Sequence, residues 1–241
     1  QEVRRPQVAR VDGRVGADLA ESGVEWRDFK DHAIFARAEL LTRAGSPYTV
    51  FTPYRNAWLA KVQAPDLAPH AAAAHASVLA PRPPRHRQPV ATLHDLGFWP
   101  TNLSELGVAC GWRGGAAQLD AFAARIDRYH VDRDFPALAA TSGLSVHLRF
   151  GTVSIREVAA RAHALAQAGS KGAAAWLDEL VWRDFYLQIL ANFPRVAGAA
   201  GDRRSFKPAY DAIEWEEGPQ ADRAFAAWAE GRTGYPLVDA A

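Results

Sequence analysis

Residues 173–191 constrain the fold most, because their apolar side chains point almost all round a helix. Such a helix must be wrapped by other elements, so the chain needs a core deep enough to enclose it. It is predicted to end at Asn192-Phe193-Pro194, since proline cannot continue a helix and disfavours helical geometry before it. At about 100° per residue, Trp176, Glu179, Trp182, Arg183 and Tyr186 share an arc of about 120°, with Glu179 and Arg183 at i, i+4. A buried carboxylate beside two indoles is costly unless paired. The arc is therefore either an ion pair packed among aromatic rings or a ligand site.

The elements around this helix follow from the same patterns. Residues 116–129 carry the stripe Leu119, Phe122, Ala123, Ile126 of a surface helix. Ser154-Ile-Arg-Glu157 is a capping-box sequence opening a second helix, which Gly169 is placed to end. Nearer the N-terminus, residues 8–20 have a helical pattern, Gly23-Val-Glu25 reads as a chain reversal, and Tyr48-Thr-Val-Phe-Thr52 as a short β-rich run after the turn signal Gly45-Ser-Pro47. Residues 63–102 contain an alanine run and Pro81-Arg-Pro-Pro-Arg-His-Arg-Gln-Pro89, which favours an extended linker over packed structure. No internal repeat is present.

Composition narrows the partners only by exclusion. With 28 Lys and Arg against 27 Asp and Glu, the formal charge is +1, so a nucleic acid would have to be met by a local patch. Cys110 is the single cysteine and cannot form an internal disulfide, no apolar run approaches a membrane span of about 20 residues, and the first residues are polar throughout. These features predict a reducing, cytoplasmic location with no membrane partner. The chain lacks methionine even at position 1 and stops in an apolar stretch, so both ends are expected to be cut.

Two further clusters could carry chemistry. Arg133-Asp-Phe-Pro136 precedes Thr141-Ser142-Gly143-Leu144-Ser145 and His147-Leu-Arg-Phe-Gly151, and three hydroxyls around a glycine ahead of a helix can aim donors at a phosphate. The same residues also suit a plain loop of Ser/Thr turns. In Trp228-Ala-Glu-Gly-Arg-Thr-Gly-Tyr-Pro236, two glycines surround Arg232 and Thr233, a weak signal alone.

In this order the segments resemble the DNA photolyase and cryptochrome family. The residues that carry the resemblance are Arg133-Asp-Phe-Pro136, Thr141-Ser142-x-Leu144-Ser145, Leu148-Arg-Phe-Gly151, Trp176-Leu-x-Glu179-Leu-x-Trp182-Arg183-x-Phe185-Tyr186 and Gly231-Arg-Thr-Gly-Tyr-Pro-x-Val-Asp239. Upstream, Val50-Phe-Thr-Pro-Tyr-Arg-Asn-Ala-Trp58 looks like the family segment closing its N-terminal domain. The resemblance implies the end of a Rossmann-like α/β antenna domain over residues 1–62, a Pro-rich linker over 63–103, and the first half of a mostly α-helical FAD-binding domain over 104–241.

The resemblance also implies roles. FAD phosphates would be held by the residues matching Thr141, Ser142, Leu144 and Ser145, with Tyr129 and Trp176 lining the cofactor. Glu179 and Trp182 match the pair that meets a cyclobutane pyrimidine dimer in DNA, the carboxyl by hydrogen bonding and the indole by stacking, with Arg183 at the same mouth. Trp215 is either the outer member of the family's electron-transfer tryptophan chain or an amphipathic surface residue. The implied parent is a monomeric carbon-carbon lyase using reduced FAD, with methenyltetrahydrofolate or a deazaflavin as possible antenna.

Departures from the family pattern qualify this. Arg4-Arg5-Pro6 stands where folate-binding members tend to have acidic or aromatic residues, and Gly143 replaces a frequent arginine. The inner tryptophans, an asparagine near the flavin and further DNA contacts are expected beyond residue 241. The alternative is a cryptochrome, a blue-light receptor without repair activity. Glu179 with Trp182 favours dimer repair, since plant-type cryptochromes carry a smaller aliphatic residue at the tryptophan position.

Overall fold

The computed structural model describes residues 6–27, 29–70, 72–99, 101–102, 105–197 and 205–240. Its contacts divide the chain into two units, residues 1–194 and 195–241. In the first unit the α-helices are α1 (Pro6–Glu21), α2 (Phe51–Lys61), α3 (Ala64–Leu67), α4 (Gly111–Ala123), α5 (Tyr129–Asp132), α6 (Ser145–Phe150), α7 (Ile155–Gln167) and α8 (Lys171–Asn192). The described residues include no strand.

Helix α8 is the axis of the core, as its all-round apolar surface requires. Ser170 caps its start by accepting from Ala173 N at 3.1 Å, and it stops at Asn192, two residues before Pro194. Helix α7 packs along it through Val158, Ala159 and Ala162, all fully buried. Ser154 Oγ accepts from Arg156 N at 3.3 Å to open α7, and Gly169 takes φ +98° just beyond its end. Helices α2 and α5 close other sides of α8, with Tyr54, Trp58, Phe122 and Leu119 buried in the same core.

Two expectations need correction. Tyr48-Thr-Val-Phe-Thr52 does not form a strand. Val50 is extended (φ −127°, ψ 135°) but serves as the N-cap of α2, which begins at Phe51. An isolated extended residue with no ladder partner gains nothing from the β region, whereas Pro53 suits the first helical turn, where its missing N–H is not needed. The surface helix expected over 116–129 is broken: α4 ends at Ala123, and a 3₁₀ turn over Ile126–Arg128 precedes α5. Its apolar stripe is nonetheless buried, with Leu119, Phe122 and Ile126 each 2% exposed or less. Residues 74–85 and 87–99 are exposed, and 3₁₀ turns lie at Ala72–Val78 and Pro84–His86.

The second unit holds a 3₁₀ turn at Pro208–Ala212, α9 (Pro219–Ala229) and α10 (Pro236–Asp239). Asp239 closes the glycine-flanked loop by accepting from Thr233 N, Thr233 Oγ1 and Gly234 N, and the Thr233 hydroxyl bond holds its carboxyl below the usual range. Phe225, Trp228, Tyr235 and Leu237 are exposed.

Among the described glycines, the closest backbone approach lies where α8 begins. A Cβ on Gly172 would stand 2.6 Å from the carbonyl oxygen of Asp127 and closer still to that of Ile126, so backbone meets backbone here. Gly172→Ala is expected to destabilise the chain by about 1–3 kcal/mol through overpacking. The measurement is the urea midpoint, and an unchanged midpoint would show that the two backbones can separate freely.

Candidate functional site

The arc on α8 divides between two neighbours. Trp176, 3% exposed, packs against Phe122 on α4 with ring centroids 4.7 Å apart, and Phe122 meets Tyr129 edge-on at 5.6 Å. One turn on, Glu179 Oε1 accepts from Arg133 Nη1 at 2.5 Å, and the Arg133 guanidinium lies over the Tyr129 ring at 5.5 Å. Burial raises the Tyr129 phenol pKa, while its hydrogen bond with Arg133 opposes that rise. The carboxylate thus takes its ion pair from the residue capping α5. Arg183, its i, i+4 neighbour, donates to His32 O at 2.5 Å. Glu179 is half-exposed rather than buried, because its charged partner approaches from the rim of the helix bundle.

Trp182 faces α2. Its half-buried indole stacks on Phe51 with centroids 3.5 Å apart and planes at 7°, and lies 5.4 Å from Tyr186 with planes at 22°. Glu179 and Trp182 therefore occupy one side of α8, each held by a residue from a different helix.

The hydroxyl loop is shaped from below by two long side chains. Arg125 Nη2 donates to Thr141 O at 3.1 Å and Gln118 Nε2 to Ser142 O at 2.7 Å. Gly143 adopts φ +64°, and a Cβ there would come within 2.8 Å of Gln118 Nε2. The glycine that departs from the family pattern thus suits the left-handed backbone of this loop. Ser142 Oγ accepts from Leu144 N at 3.3 Å, while Thr141 and Ser145 are exposed. A cleft lined by Arg125, Tyr129, Asp132, Leu138, Ala139 and Ala140 joins Tyr129 to the residues leading into Thr141. This donor set fits a phosphate-bearing cofactor: exposed hydroxyls beside a left-handed glycine, with an arginine beneath. Leu144 and Trp176 are buried and support that face from the core.

Comparison with known proteins bears on both halves of the chain. Residues 2–74 match the family model described as DNA photolyase, and residues 176–241 match that of the FAD binding domain of DNA photolyase. The chain belongs to the DNA photolyase family. Relatives named deoxyribodipyrimidine photo-lyase include that of Vibrio cholerae, 33% identical over 92% of this chain and 46% of its own length. That of a Synechococcus strain is 35% identical over 95% of this chain and 47% of its own length. Among solved structures, a bacterial class III photolyase from Agrobacterium tumefaciens superposes with a TM-score of 0.78 at 28% identity, covering 98% of this chain and 47% of that one. A Synechocystis cryptochrome shares the fold, with a TM-score of 0.67 at 20% identity. The chain spans about half the length of the curated relatives it matches.

The other candidate positions are less connected. Trp215 lies in the second unit and is 77% exposed. Arg4 and Arg5, which depart from the folate-binding pattern, lie outside the described residues. Among the described residues no His, Cys, Asp and Glu group could hold a metal ion, and no helix is long and apolar enough to cross a membrane.

Sequence reasoning passed over Asp184. It is 1% exposed, and its carboxyl accepts from Ile34 N at 3.2 Å, Phe35 N at 3.3 Å and Trp58 Nε1 at 3.0 Å. Burial pushes its pKa up, and the bonds from Trp58, Ile34 and Phe35 pull it back. The available signal was an acidic residue on the apolar side of a core helix, which demands donors from elsewhere in the chain. Arg133 was within a quoted motif but not assigned to the site. Asp184→Asn presents an amide N–H₂ to neighbours that are all donors, so it is expected to cost about 1–3 kcal/mol. Hydrogen exchange at the Ile34 and Phe35 amides should accelerate with it, and unchanged protection would show that Asp184 does not hold that segment.

Proposed function

We propose that this chain is part of a deoxyribodipyrimidine photo-lyase that repairs cyclobutane pyrimidine dimers in DNA under light. The observation that carries the reading is the placement of Glu179 and Trp182 on one side of α8, with Glu179 linked through Arg133 to Tyr129. With Oε1 bound to Arg133, the second carboxylate oxygen of Glu179 would accept from the imide N–H of a flipped pyrimidine, and the arginine orients the carboxylate. Trp182 offers an aromatic face to the same base, and Arg183 adds charge beside it. A dimer is already poorly stacked and paired, so flipping it costs less than flipping a normal base.

Thr141, Ser142 and Ser145 would hold FAD through its phosphates, with Tyr129 beside them and Leu144 and Trp176 supporting from the core. Reduced FAD, when bound, supplies the electron that splits the dimer. The protein supplies position and polarity. The match over residues 2–74 supports reading residues 1–62 as the end of an antenna domain, and the match over residues 176–241 supports reading 104–241 as flavin-binding, with 63–103 as the linker between them. An antenna pigment, a monomeric state and a cytoplasmic location belong to the same proposal. Glu179 with Trp182 favours it over a cryptochrome.

In a full-length photolyase that includes this chain, Trp182→Ala is expected to weaken binding to dimer-containing DNA by about 1–3 kcal/mol. Flavin content should stay near parental, and loss of flavin with unchanged DNA affinity would assign the indole to the cofactor wall. Glu179→Gln should lower repair yield per photon more than affinity, and equal yields would remove the carboxylate from the mechanism.

Trp215→Phe in the same protein should slow light-driven reduction of oxidised flavin, since phenylalanine is far harder to oxidise, while sparing repair by chemically reduced enzyme. Photoreduction at the parental rate would leave Trp215 a surface aromatic.

A further inference from the structure

We propose that Phe51 is a positioning residue that fixes the Trp182 indole for stacking on a flipped pyrimidine, an inference that rests on the reading just given for Trp182. The two rings are nearly parallel, with planes at 7° and centroids 3.5 Å apart. No base fits between them, so the indole face turned to Phe51 is closed to a pyrimidine; Tyr186 lies 5.4 Å from the same indole with planes at 22°. Phe51 itself cannot drift. It opens α2, whose Tyr54 and Trp58 are each 1% exposed, and Trp58 Nε1 is bonded to Asp184 on α8. Phe185 buttresses the arrangement, packing edge-on against Phe51 at 5.9 Å and Trp182 at 5.8 Å and tilted against Tyr54 at 5.3 Å. A half-buried indole on a helix surface keeps rotamer freedom, and ordering it at the moment of binding would weaken the complex. The Phe51 ring removes that freedom beforehand and selects which face is offered.

The test is a double-mutant cycle in a full-length photolyase that includes this chain. Affinities are measured for an oligonucleotide carrying one thymine dimer and for the same oligonucleotide undamaged, with flavin content and melting midpoint followed alongside. Phe51→Ala should lower the preference for the dimer about two- to tenfold, the worth of an aromatic pair. Phe51→Tyr, which keeps the ring, should hold it near parental. In a Trp182→Ala background, Phe51→Ala should cause no further loss. Phe51→Leu, which fills volume without an aromatic face, takes the place of Phe51→Ala if that variant does not fold. An equal loss in both backgrounds would reduce Phe51 to core packing and overturn the proposal. So would a silent Phe51→Ala beside an effective Trp182→Ala, which leaves the role of Trp182 standing. A silent Trp182→Ala overturns the reading of Trp182 itself and the positioning role with it.

Discussion

The buried carboxylate of Asp184 joins three parts of the chain that are far apart in sequence. Its donors come from the backbone of Ile34 and Phe35 and from the indole of Trp58, while the acid itself belongs to α8. A charge at this depth is tolerated only because each neighbour is a donor, and each donor would in turn be costly to leave unpaired. Gln188, one turn further along α8, donates to Phe35 O at 2.8 Å and fixes the same segment from its carbonyl side. The N-terminal segment and α2 are therefore bonded to the central helix as well as packed against it.

That attachment reaches the candidate site through the helix itself. Asp184 and Trp182 lie about 200° apart around α8, on opposite sides. The acid anchors Trp58, Trp58 anchors α2, and α2 presents Phe51 to the Trp182 indole. The face that would meet DNA is thus set by a polar bond in the core behind it. Rigid support of this kind is what a stacking site needs, since an aromatic platform that must be ordered on binding loses part of its worth.

The other half of the site is organised by close backbone approach. Gly172 lets the start of α8 press against the turn at Ile126–Arg128, which leads directly into Tyr129. From α5, Arg133 reaches Glu179, so the same packing that seats α8 brings a guanidinium to its carboxylate. Arg125, at the break between α4 and that turn, donates to Thr141 O in the hydroxyl loop. The groups proposed for the cofactor side and the lesion side are both tied to one short stretch of chain, residues 125–133.

Much of this was legible in the sequence wherever the information is local. The central helix, its end before Pro194, the Ser154 cap of α7 and the glycine after it follow from periodicity, capping and backbone rules that act over a few residues. The order of the hydroxyl loop and the Trp176–Tyr186 motif was enough to suggest the family. The tertiary structure alone decided the partners: Arg133 for Glu179, Phe51 for Trp182, and Trp58 with two backbone amides for Asp184. It also turned residues 48–52 from an expected strand into the cap and first residues of a helix, because β structure depends on a neighbouring strand that no local pattern can supply. Periodicity states which side of a helix faces inward. Which residue waits on the far side of that interface depends on how segments distant in the chain pack, and that is decided only when the core closes.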